Sequence, residues 1–157
     1  DFPPEFWLVE VSGIPYGLMG EMLEGGGNPW RGMLYGMTGR SPRVDNGPLW
    51  KLWDSFGMQN SEMIGYWVKD NPVKTGSEKT LATVYSHMGD KALISLATWE
   101  DTDAKVKLSI DWAKLGLDPS KVTLHAPAIE NFQQETTWKP GDEIVVTKGK
   151  GLLIIAK

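Results

Sequence analysis

The chain contains no cysteine, which rules out disulfide staples and thiolate metal sites but leaves the compartment open. It has only two histidines, His87 and His125, on separate predicted strands without a spaced set of further ligands, so no metal site is expected. Charge of one sign is not concentrated anywhere. The net charge is −4 and the 16 basic residues are scattered, which argues against nucleic acid and against a membrane surface as partners. No apolar run approaches the roughly 20 residues that span a bilayer, and no charged-then-apolar leader opens the chain; a soluble protein is expected. A Gly-x-Ser-x-Gly elbow is missing. Gly25-Gly26-Gly27 is not followed by the Lys-Ser/Thr of a phosphate loop, reads instead as a hinge or close-packed loop, and no cofactor is expected.

Tryptophan is abundant: eight in 157 residues, beside 18 Gly and ten Pro, a composition that suits a loop-rich β protein able to handle a flat ligand. The strand signals concentrate in the second half. Gly151 to Ala156 is a β-branched, apolar run behind a Gly-Lys-Gly turn, so the chain ends inside a sheet. Thr80–Met88 and Lys91–Trp99 flank Gly89-Asp90, a two-residue connection with Gly first, as a type II′ hairpin requires. Residues 104–110 alternate strictly, with Val106, Leu108 and Ile110 on one face and Lys105, Lys107 and Ser109 on the other. Asp111 and Gly116 bracket a single capped helical turn. With strands at 62–68, 121–126 and 142–147, about seven antiparallel strands make a sandwich.

The first 57 residues follow a different grammar. Phe6–Val11 reads as a buried strand, 17–23 as a short helix, Trp30–Met37 as a second buried strand, and Gly47-Pro48 opens a helix that Gly57 ends. Leu49, Leu52, Trp53 and Phe56 share a face of that helix, and Trp50 and Trp53 are expected in the core. Strand, helix, strand, helix is the spacing of two βα units, which cannot cover both faces of a parallel sheet by themselves. The predicted fold is therefore mainly β, with a partial α/β segment over residues 1–61 and an antiparallel β-sandwich over 62–157.

Candidate chemistry is sparse. Glu10 ends an otherwise apolar strand, where barrel enzymes place catalytic groups; the alternatives are an ion pair with Arg31 or Arg40, or a solvated position beyond a shorter strand. Glu21 and Glu24 read as exposed helix carboxylates, and Glu100-Asp101-Thr102-Asp103 as a solvated turn that lacks the glycine and distal glutamate of a calcium loop. Trp30 follows Pro29 in a loop and is open either to the core or to stacking on a ligand. Trp30, Arg31 and Arg40 are the candidates for contacting carbohydrate.

The segments NPWRGMLYGM, PLWKLWDSFGM and EMIGYW, followed by IDWAKLGLD, LHAPAIENFQ and GKGLLIIA, resemble the end of a bacterial glycoside hydrolase. In that arrangement the last strand and helix of a (β/α)8 barrel run into a C-terminal β-sandwich. The resemblance is closest to proteins related to glycoside hydrolase family 123. It implies a parent enzyme acting on carbohydrate, with its catalytic pair on barrel strands upstream of Asp1, and a non-catalytic sandwich that supports the barrel; a carbohydrate-binding or an assembly module are the alternatives. Phe6, Trp7, Leu8, Val9, Met33, Leu34 and Met37 would be covered in a complete barrel. They must otherwise be hidden on the sandwich or by a second copy, and a homo-oligomer built from residues 1–57 is expected.

Overall fold

The computed structural model describes residues 28–38 and 45–157. The expected strand at 6–11, the helix at 17–23, the Gly25–Gly27 loop, Glu10, Glu21, Glu24 and Arg40 lie outside the described residues.

Ten strands are present among the described residues: β1 Glu62–Ile64, β2 Val73–Lys74, β3 Thr80–His87, β4 Lys91–Thr98, β5 Ala104–Lys107, β6 Ser109–Ile110, β7 Leu124–Ala126, β8 Thr136–Trp138, β9 Glu143–Val146 and β10 Gly151–Ala156. Three α-helices accompany them among the described residues, α1 Pro29–Met33, α2 Gly47–Phe56 and α3 Trp112–Leu115, with a short 3-10 helix at Met58–Asn60. A six-stranded antiparallel sheet runs β1-β3-β4-β10-β7-β8, and two-stranded sheets β2-β6 and β5-β9 complete the β structure. The protein is mainly β, with the antiparallel sandwich that the alternation and turn chemistry predict.

Strand periodicity explains the layering. Ala92, Ile94 and Leu96 of β4, with Ala82 and Val84 of β3 and Ile154 and Ala156 of β10, face Ala104, Val106, Ile144 and Val146 of the β5-β9 pair in one apolar core. The intervening residues Tyr85, Leu93 and Leu153 point the other way, into a second core with Met33, Leu49, Leu52 and Phe56 of the helices. The long sheet is thus covered on both faces, which is why β10 reads as a continuous apolar run instead of an alternating one. Burial of each large helix side chain against it contributes about 1.5–3 kcal/mol.

Several expectations change in detail. Most of Trp30–Met37 is buried, with Trp30 and Arg31 half-buried and Gly36 exposed, but it is not a strand: Asn28 accepts a hydrogen bond from Arg31 N at 3.0 Å and Pro29 occupies the first turn, which starts α1. Asn-Pro is therefore a helix start here, not merely a break. The hairpin loop has three residues, 88–90, because the β3-β4 ladder closes at His87↔Lys91. Gly89, with φ +77°, is the third residue of a turn closed by Asp90 N to His87 O. The alternating stretch 104–110 changes partner at buried Leu108, β5 pairing with β9 and β6 with β2. α2 ends at Gly57 in the left-handed conformation as predicted, but Trp50 is 50% exposed because it lies on the face of α2 away from Leu49, Leu52 and Phe56. Trp53 is half-buried against the helix-side core.

Met33, Leu34 and Met37, three of the apolar residues in need of cover, are buried against the sheet within the chain. Phe6, Trp7, Leu8 and Val9 lie outside the described residues.

Candidate functional site

Two backbone arrangements position the side chains that matter. The first seats α1 on the six-stranded sheet. The last carbonyls of a helix have no partner inside it, and here two hydroxyls on one face of β3 supply them: Tyr85 donates to Met33 O at 2.5 Å and Thr83 to Leu34 O at 2.9 Å. Asn28 Nδ2 donates to Gly149 O at 2.7 Å at the other end of α1. Burial pushes the Tyr85 phenol above its ordinary pKa, so the hydroxyl stays protonated and remains a donor.

The second arrangement closes β10 where its neighbour runs out. The β10-β7 register pairs Ile155 with His125, and two residues further it sets Leu153 opposite Pro127, which has no N–H to give. The Gln133 side chain takes over. Its Nε2 donates to Leu153 O at 2.9 Å and to Pro127 O at 2.8 Å, and its Oε1 accepts from Leu153 N at 2.8 Å. The turn carrying Gln133 brings Phe132 against Trp30, with ring centroids 5.1 Å apart.

Around that contact opens a cleft of about 590 Å³, lined by Trp30, Phe132, Gln134, Trp138, Thr147 and Lys150 among others. The Lys150 ammonium lies 5.5 Å from the Trp30 ring centroid. Of the residues expected to meet carbohydrate, Trp30 thus lines a cleft. Arg31 turns instead to the Trp99 ring, 4.4 Å from its centroid, and donates to Thr98 O at 3.4 Å. Its burial lowers the guanidinium pKa. The structure places neighbouring Trp30 and Arg31 in different surroundings, with Arg31 engaged in packing α1 to the end of β4.

Phe132, Trp138 and Lys150 were not singled out in the sequence. Only the alternation of Thr136 and Trp138 in a polar stretch hints at them, because their meeting with Trp30 spans about a hundred residues of chain.

The carboxylates are distributed differently. Among the described residues every Asp and Glu is exposed except Glu100, which is half-buried and accepts from Ser77 Oγ at 3.2 Å. Asp45 and Glu130 share a smaller cleft of about 360 Å³, but Asp45 is engaged in capping α2, accepting from Gly47 N at 2.8 Å. A general acid for glycosidic cleavage needs a buried or charge-coupled carboxyl. None of the described acids is buried.

His87 serves packing, while His125 makes a surface contact. His87 Nε2 reaches Phe56 O and Gly57 O, both at 3.0 Å, so that nitrogen carries the proton and caps α2. His125 Nε2 meets Glu135 Oε1 at 3.0 Å. No group of three His, Asp or Glu among the described residues is arranged to hold a metal ion. Residues 101–103 are exposed while Glu100 is half-buried, and Asp103 Oδ1 accepts from Lys148 N.

Residues 45–157 match the model of the glycoside hydrolase 123 C-terminal domain, and residues 1–42 match that of the glycoside hydrolase 123 TIM-barrel domain. The chain belongs to glycoside hydrolase family 123. Comparisons with curated proteins and with solved structures gave no match. In this family member α1 falls within the barrel match, whereas α2 and all ten strands fall within the C-terminal match. The bonds from Tyr85 to Met33, Thr83 to Leu34 and Asn28 to Gly149 therefore cross from one matched region to the other.

Proposed function

We propose that this family 123 chain acts as a brace: its sandwich seats and rigidifies the end of a glycoside-hydrolase barrel, and glycosidic cleavage is not carried out by the chain itself. The observation that carries this reading is the buried seat of α1. Met33 and Leu34, from the barrel-matched region, are fully buried on β3, β4 and β10, and their carbonyls are bonded by hydroxyls of β3. A tethered but independent module would join its neighbour through an exposed linker with few contacts. The exposed placement of the described carboxylates agrees with a non-catalytic role.

A panel of aryl glycosides tests the reading. The expected result is no turnover above the buffer rate for the wild-type chain. Turnover that disappears in Glu10→Gln would overturn it and make Glu10 a catalytic residue.

A further inference from the structure

The six-stranded sheet ends at β8, and residues paired across antiparallel strands project to the same side. Trp138 pairs with Leu124 and Thr136 with Ala126. Leu124 and Ala126 belong to the sandwich core, so Trp138 and Thr136 also face inward, at the sheet's edge. There the sandwich is open: Trp138 packs on the core and is only half-buried, Thr136 is exposed, and the mouth is the cleft of about 590 Å³. Trp30 and Phe132 form its aromatic inner wall.

From this geometry we propose that the mouth between β8 and β9 is a binding groove for a neutral oligosaccharide. The chemistry of the lining selects that class. Trp138 offers an apolar plane for the C–H face of a pyranose ring. Asn131, Gln134, Thr136 and Thr147 are exposed and surround it with amide and hydroxyl groups that both donate and accept, as sugar hydroxyls require. Among the described residues no Asp or Glu lines the groove, so no carboxylate is there to hold a cation. Lys150 is the single charged group among the described lining residues, and it sits over the Trp30 ring, which is too little for a polyanion. Asn131, at the rim, holds φ +59°, a left-handed conformation that Asn tolerates better than most residues. The groove takes Trp30 from the barrel-matched region and the rest of its wall from the C-terminal match, so an occupant would also bridge the two.

Isothermal titration of the intact chain with maltotriose, cellotriose and N,N′,N″-triacetylchitotriose provides the test. Saturable binding of at least one is expected. Trp138→Ala should weaken it by roughly tenfold or more, the loss of a stacked ring. Thr147→Arg, a bulky replacement at an exposed lining position, should block it in a protein whose melting is unchanged, and this variant decides the matter if Trp138→Ala fails to fold. Trp67→Ala, removing an exposed tryptophan that does not line this groove, should bind as wild type. Absence of heat with all three sugars at millimolar concentration, binding undiminished in Thr147→Arg, or binding lost in Trp67→Ala would each overturn the proposal. Cleavage of a bound sugar would count against the bracing role and leave the groove standing.

Discussion

The Tyr85 hydroxyl, on the central sheet, donates to the carbonyl of Met33 at the end of α1, and that bond lies wholly inside the protein. Thr83, two residues earlier on the same face of β3, does the same for Leu34 while accepting from Tyr66 N at 3.2 Å. A helix end buried in an apolar layer is costly unless its carbonyls find donors. These two residues make it possible for α1 to lie flat on the sandwich.

Tyr85→Phe is expected to lower stability by about 1–2 kcal/mol, since it leaves the buried Met33 carbonyl only the long bond from Gly36 N at 3.4 Å, with almost no change in volume. Thr83→Val should fall in the same range, toward its upper end, because it removes an acceptor as well as a donor. Urea unfolding followed by tryptophan fluorescence measures both. A change below about 0.5 kcal/mol in each would show that the seat rests on apolar contact alone.

The same phenol predicts an alkaline signature. Burial raises its pKa from the ordinary 10.0, with a backbone hydrogen bond from Gly36 acting in the opposite direction. Below the unfolded value both states are protonated and stability does not depend on this group. As pH rises past about 10 the unfolded chain loses the proton more readily, so stability falls progressively toward the raised folded value. Melting curves collected from about pH 8 to 11 should show a steeper decline for wild type than for Tyr85→Phe. Parallel declines would contradict the assignment.

Gln133→Leu keeps most of the side-chain volume but removes the group that stands in for the missing N–H of Pro127. Leu153 N and O, both at a buried residue, would lose their side-chain partner, and a loss of about 2–4 kcal/mol is expected from two unsatisfied backbone groups. Hydrogen exchange offers a sharper readout. The Leu153 amide should become markedly less protected while the Ile94 amide, on β4, stays slow. Unchanged protection at Leu153 would argue against the clamp.

Gly151 sits where β10 passes closest to β4 and α1. A Cβ there would meet Leu96 O at 1.9 Å and Trp30 Cβ at 2.9 Å. Because the first of these is backbone, a side-chain adjustment cannot relieve it. Gly151→Ala should cost at least about 3 kcal/mol, above the usual range for overpacking, or prevent soluble expression. Thermal melting checks this, and a variant that melts within a few degrees of wild type would mean that β10 shifts more easily than its pairing suggests.

Signals that act over a few residues were legible in the sequence. Pro48 and Gly57 marked the ends of α2, Asp111 and Gly116 those of α3, and Gly89 the hairpin, since each sets a local dihedral or hydrogen bond without outside help. The alternation at 104–110 declared one wet and one buried face, the apolar last run announced a strand inside a sheet, and the family was recognisable from its segments. Tertiary structure decided what those faces meet. The apolar content of Trp30–Met37 required burial but not a conformation, and β3 accepted it as a helix because Tyr85 and Thr83 could bond the freed carbonyls. Partner exchange at Leu108, the Gln133 clamp at Pro127, and the gathering of Trp30, Phe132 and Trp138 around one cleft join positions far apart in the chain. Such meetings depend on how whole sheets and helices stack, and no short window of sequence carries that information.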